Sequence, residues 1–255
     1  MNSFVAVLVI VSASTIANAQ SGTSSLPQPF AYPSVEALVQ QLRSEDDSVR
    51  MKAATSVGLT DPVGGSICSA NEEVRVHPIS VGNGVDSRLL SIKASSECRA
   101  MFLVPMLRQG GSWVALKPIR LSAHYDDPNW RLESLVAAGE EGIVVSNQTV
   151  DWGTGYLQRN MTIYKVIGNE ARIVFDAPEY IGVGIPPAGM GPGWKNGYED
   201  VQRSKFEFLR DTNINGLSRI QEMRTESAQK RRFTVYRSYV WEPSLQAFRM
   251  VGSTP

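Results

Sequence analysis

From Glu73 onward the apolar residues come in short runs, and Gly, Asn, Ser or Pro closes almost every one. "EVRVHPISV", "RLLSIKA" and "RAMFLVPML" are the first three. Side chains of an extended strand alternate between two faces, whereas a helix repeats every ~3.6 residues. Runs this short, rich in Val, Ile, Leu and Phe, suit a pleated surface. With roughly 180 residues patterned in this way, the chain is held to a mainly β architecture.

Three stretches share a plan: "RAMFLVPMLRQGGSWVALKPI" (99–119), "RNMTIYKVIGNEARIVFDAP" (159–178) and "RFTVYRSYVWEPSLQAFRMV" (232–251). Each begins with Arg, runs through a strand, turns on polar or glycine residues, and returns through a second strand. Each follows another strand candidate, "RLLSIKA", "EGIVVSN" or "SKFEFLR". Units of perhaps four strands, recurring every ~60 to 75 residues, are the pattern of antiparallel β-meanders stacked as blades. The expectation is a propeller-like β-domain of about three blade-like units over 73–255. A two-sheet β-sandwich is the alternative, because it would show similar strands.

Before Glu73 the period is helical. Val35, Leu38, Val39 and Leu42 fall on one stripe, Ser34 can cap the helix start, and Glu36 places an acid in the first turn. "SEDDS" interrupts, and Asp46 or Asp47 can cap a second helix. There Val49, Ala53 and Val57 share a face, and Gly58 can end it. Leu42, the aspartates, Val49-Arg50, Ala53-Ala54 and Val57-Gly58 together resemble a HEAT-type repeat unit. That resemblance implies an antiparallel helical pair over 34–60 whose apolar face needs a neighbour. The sequence has no second copy, so the pair is expected to cap the β-domain.

The first residues point to export. "FVAVLVIVSASTIANAQ" opens with the apolar run Phe4 to Val11 and reaches Ala17-Asn18-Ala19, an A-x-A cleavage pattern. The n-region has no Lys or Arg. A signal peptide over 1–19, a flexible segment over 20–33 and a linker over 61–72 are expected, with the protein secreted or periplasmic. No later run approaches the ~20 apolar residues of a membrane span, so none is expected in the mature chain. Two cysteines in an exported chain suggest a Cys68–Cys98 disulfide. It would close a loop of ~30 residues, worth roughly 3 kcal/mol.

The 25 basic and 25 acidic residues balance, which disfavours a general nucleic-acid partner. "QKRRFTVYR", with Lys230, Arg231, Arg232 and Arg237, reads as a solvated turn and strand edge. "DTNINGLSRIQE" spells the calcium-loop pattern through Asp211, Asn213, Asn215, Gly216 and Glu222. The preceding "KFEFL" reads as a strand, unlike an EF-hand. With the later "YRSYVWEPSLQAF", the stretch resembles an FG-GAP or VCBS-type β-propeller repeat, which implies an inter-strand loop able to hold Ca²⁺. Asn215 and Arg219 depart from that pattern where carboxylates are usual. A degenerate loop that binds calcium weakly or not at all is expected, and no other cofactor.

Catalytic signals are thin. His77 beside Pro78 reads as structural. His124, Asp126 and Asp127 in "AHYDDPNW" could serve an exported hydrolase, though Asp-Asp-Pro-Asn is also ordinary turn composition. No nucleophile elbow, H-E-x-x-H or phosphate loop occurs in the sequence. Tyr180, Trp194 and Tyr198, in the Gly/Pro-rich "YIGVGIPPAGMGPGWKNGY", could line a ligand site. The leading expectation is a non-enzymatic binding or scaffold module with a protein or glycan partner. A hydrolase and a calcium-stabilised adhesion module are the alternatives.

Overall fold

A computed structural model describes residues 31–60, 67–68, 70–82, 84–94, 98, 100–122, 128–135, 139–151, 156–184, 198–211, 216–228 and 231–254. The proposed signal peptide and the 20–30 segment lie outside them. Among the described residues no helix is long and apolar enough to cross a membrane.

Two short helices form where the stripe requires them, α1 (Val35–Leu42) and α2 (Asp47–Ser56). Ser34 Oγ accepts the Ala37 N–H at 3.1 Å, and the Asp46 carboxylate accepts from Ser48 N–H at 2.8 Å. These bonds satisfy donors that a helix start leaves open. Gly58, at φ 73°, ends α2 in a conformation that favours glycine. Val49 departs from expectation: it is exposed, and α2 packs through Ala53, Ala54 and the C-capping Val57.

The first sheet contains β1 (Ala31–Tyr32), β2 (Ala70–Pro78), β3 (Ser87–Ala94), β4 (Ala100–Gln109), β5 (Ser112–Ala115) and β6 (Ile119–Ser122). It is antiparallel in the order β1-β5-β4-β3-β2, and β6 also pairs with β4. Gly110 and Gly111, both at positive φ, turn β4 into β5. One face carries Leu90, Ile92, Phe102 and Met106, and the helical pair covers it with Leu38, Leu42, Ala54 and Leu59. A Cys68–Cys98 disulfide, with Cα atoms 5.8 Å apart, ties the segment after α2 to the approach to β4. Relative to the wild type, the double variant Cys68→Ser, Cys98→Ser should have its unfolding free energy lowered by about 3 kcal/mol. Urea denaturation of the double variant checks this, and an unchanged midpoint would contradict it.

The second sheet is a meander in chain order: β7 (Asn129–Ser134), β8 (Glu141–Asp151), β9 (Tyr156–Ile167), β10 (Glu170–Gly184), β11 (Tyr198–Asp211), β12 (Gly216–Ala228), β13 (Arg231–Glu242) and β14 (Ala247–Thr254). Ile143 and Val145 of β8 pack against Leu89, Leu103, Ile119 and Leu121, joining it to the free face of the first sheet. Its opposite face rolls around a second core. Phe175 of β10 meets Phe206, Tyr239 and Phe248 edge-on, with ring centroids 5.8, 5.0 and 6.2 Å away. Arg210 of β11 pairs with Glu133 of β7, and Arg131 lies 5.0 Å over the Phe208 ring. The roll stays open, because β7 and β14 end the strand order without pairing to each other.

The protein is therefore mainly β and antiparallel with a small helical layer. The three stretches with a common plan do form hairpins, β4–β5, β9–β10 and β13–β14. The second and third, however, lie in one continuous sheet, because β10 pairs with β11 and β12 with β13. The described strands form two sheets, not three four-stranded blades. The recurring pattern marks hairpins, and hairpin spacing alone does not decide where a sheet ends.

His77 sits where the sheets meet. Its Nε2 is 2.8 Å from Ser91 Oγ, and its ring stands edge-on to Trp130 at 4.9 Å. Burial, assisted by the charge of Arg75, holds its pKa below 6.5. The folded protein thus favours neutral His77. Its contribution is intact above the unfolded pKa and is lost as pH falls from there through the depressed folded value. Thermal melts from pH 7.5 to 5 should show this loss, and His77→Gln should shallow it. Identical slopes for the two proteins would contradict the assignment.

Candidate functional site

Of the last four strands, β11, β12 and β13 are 14, 13 and 12 residues long, and one face of the four packs into the second core. A groove of about 540 Å³ lies over them, lined by three successive rows of the strand register. Lys205, Met223, Tyr236 and Thr254 form one row. Phe206, Glu222, Arg237 and Ser253 form the middle row, and Glu207, Gln221, Ser238 and Gly252 the third. Alternation sends the middle row to one face of the sheet and the outer two rows to the other. Tyr236 is 52% exposed. A Cβ built on Gly252 meets no atom within 4 Å.

The middle row continues, on the same face, into a buried polar cluster around Glu222. The Glu222 side chain is wholly shielded from solvent. Its Oε1 accepts from Ser204 Oγ at 2.7 Å and Arg224 Nε at 2.8 Å, and its Oε2 accepts from the Tyr239 hydroxyl at 2.7 Å. Arg224 also reaches Glu226 at 3.3 Å. Burial alone would raise the Glu222 pKa; the hydrogen bonds from Ser204, Arg224 and Tyr239, with the Arg224 charge, outweigh it and hold the carboxyl below its ordinary value. Burial and the neighbouring Glu222 push the Tyr239 hydroxyl up, against Arg237. A carboxylate with its pKa held down and both oxygens engaged is an anchor for strands β11–β13. It is poorly placed to exchange protons with a substrate.

The structure alters two sequence expectations. Glu222 does not join the proposed calcium loop: it stands six residues along β12 from Gly216, roughly 20 Å at ~3.3 Å per residue. Asp211 ends β11 opposite Gly216, while Asn213 and Asn215 lie outside the described residues. His124, Asp126, Asp127 and Trp194 also lie outside them. Tyr180 and Tyr198, read as loop aromatics, belong to β10 and β11. Tyr180 pairs with Arg203, and Tyr198 with Gly184, so register separates them by five residues, roughly 16 Å. The Arg203 guanidinium lies 5.5 Å over the Tyr180 ring. Among the described residues no three His, Cys, Asp or Glu side chains gather as a metal site would require.

The groove itself was not foreseen, since its residues come from four separate runs. One signal was available: in "IQEMRTE" the alternate positions Ile220, Glu222, Arg224 and Glu226 place charges on a face that begins apolar. Comparison of the chain with protein families, with curated proteins and with solved structures gives no match, so the HEAT-like and FG-GAP-like resemblances rest on the quoted residues alone.

Proposed function

We propose that the chain is an exported, non-enzymatic binding module whose groove over β11–β14 takes a glycan. The observation that carries this is the lining itself: an exposed Tyr236 ring with Gln221, Ser238 and Thr254 on the same face of the sheet. An aromatic face stacks on the C–H face of a sugar ring, and short amide and hydroxyl side chains match its hydroxyls. A protein partner fits less well. Strand addition needs a regular edge, and β14 is irregular: Tyr239 pairs with Met250 but Ser238 with Gly252, leaving Val251 as an extra residue.

Export is supported by Ala17-Asn18-Ala19 after the apolar run, with the mature chain starting at Gln20. Binding is tested by calorimetry of the mature protein against a panel of neutral and acidic oligosaccharides. Gly252→Trp fills the groove without a backbone clash, so it should abolish binding and leave the melting temperature nearly unchanged. Full affinity in Gly252→Trp, or no binding to any oligosaccharide, would refute the reading.

A further inference from the structure

We infer that the ligand of this groove is an uncharged, extended glycan lying across the strands, its C–H face against Met223 and Tyr236 and its hydroxyl edge against Gln221 and Ser238; this rests on the binding reading above. Phe206 and Tyr239 pack into the second core, and Glu222 and Arg237 share their face. The rows on either side project from the opposite face, where Lys205, Glu207, Gln221 and Tyr236 are exposed. Side chains of those two rows stand as walls, and the middle row gives its backbone to the floor between them. Two residues along a strand set the walls roughly 7 Å apart, and three inter-strand steps make the trough roughly 14 Å long. With about 540 Å³ of space, a trough of that length holds about three sugar rings in line.

The two walls differ in chemistry. One carries Met223 beside the Tyr236 ring, and the other carries the Gln221 amide beside the Ser238 hydroxyl. A sugar ring is two-sided in the same way, with C–H groups on its face and hydroxyls at its edge. Charge on this face of the lining is confined to β11, where Lys205 and Glu207 stand two residues apart with opposite signs. Glu222 and Arg237 belong to the other face, and Glu222 is held there by Ser204, Arg224 and Tyr239. The trough therefore presents no net charge, and an acidic group on the ligand gains nothing from it. At the β14 end Gly252 leaves a gap in the polar wall, since a Cβ there meets no atom within 4 Å. A substituent on the ring beyond Ser238 has room to leave the trough at that point.

The test uses the mature full-length protein with cello-, xylo- and manno-oligosaccharides of increasing length and an oligogalacturonate. At least one neutral series should bind, with affinity rising to about three units and then levelling. Raising NaCl from about 0.05 to about 0.5 M should change that affinity by less than about twofold, because no charges pair. Tyr236→Phe should bind like the wild type and Tyr236→Ala at least about tenfold more weakly, since the ring makes the contact and the hydroxyl does not. Gln221→Ala, at an exposed position, should weaken binding a few-fold. Lys205→Gln and Glu207→Gln should each change it by less than about twofold. Preference for the oligogalacturonate, with an affinity that falls as salt rises, would overturn the uncharged ligand and leave glycan binding standing. Equal losses in Tyr236→Phe and Tyr236→Ala would overturn the apolar wall. Binding to none of the probes would end both readings.

Discussion

Glu222→Ala should destabilise the protein by about 3–5 kcal/mol, the loss expected when one member of a buried ion pair is removed. The side chain is wholly shielded, and its removal leaves the largely buried Arg224 guanidinium with only the longer contact to Glu226, at 3.3 Å. Ser204 and Tyr239 lose their acceptor at the same time. Replacing both Glu222 and Arg224 with leucine should cost less than Glu222→Ala, because both buried charges are then gone and Glu226, which loses Arg224, is partly exposed. Urea denaturation of the three proteins measures this, and a Glu222→Ala effect below about 0.5 kcal/mol, typical of a surface change, would contradict the anchor role. The pH dependence has a definite sign. The folded pKa lies below the unfolded value near 4.5, so the Glu222 contribution is intact above that value and lost as pH falls through the folded one.

Leu38→Ala should cost about 2–5 kcal/mol, the range for a large core side chain cut to methyl. Leu38 has no exposed surface and lies between α2 and the first sheet. The helical pair covers a sheet face carrying Leu90, Ile92, Phe102 and Met106, so its loosening opens that core to water. The loss should appear in the same cooperative transition as unfolding of the sheet. A separate early transition, with the β-structure still melting at its original temperature, would show that the helices are not its cap.

Much of the fold was legible because local rules act where tertiary contacts do not oppose them. Ser34, Asp46 and Gly58 bound the helices as their chemistry requires. Gly110-Gly111 marks a tight turn, and the two cysteines meet. The sheet assignment was less legible. β5 and β6 line the same edge of β4 with Pro118 between them, and β8 to β14 continue without a break. Neither fact leaves a mark in the period of the apolar residues. Val49 shows the same limit at one residue: it has the right spacing, but a ten-residue helix resting on Ala53 and Ala54 leaves it in solvent.

The site was legible in pieces only. The aromatics of the Gly/Pro-rich stretch drew attention to 180–198, whereas the groove is made by Tyr236, Arg237 and their neighbours across four strands. "QKRRFTVYR" read as a solvated edge. Arg232 is exposed as that reading requires, but the Arg237 Nε is buried. Cross-strand register makes this difference, since Glu222 is opposite Arg237 and yet bound to Arg224.

Amide chemical-shift mapping of the mature protein with a bound oligosaccharide is the most direct measurement of the groove's role. Shifts confined to the rows around Tyr236, Arg237 and Gly252, and absent in Gly252→Trp, are the expected result. Shifts centred on another surface, such as β8 to β10, or identical shifts in Gly252→Trp, would contradict it.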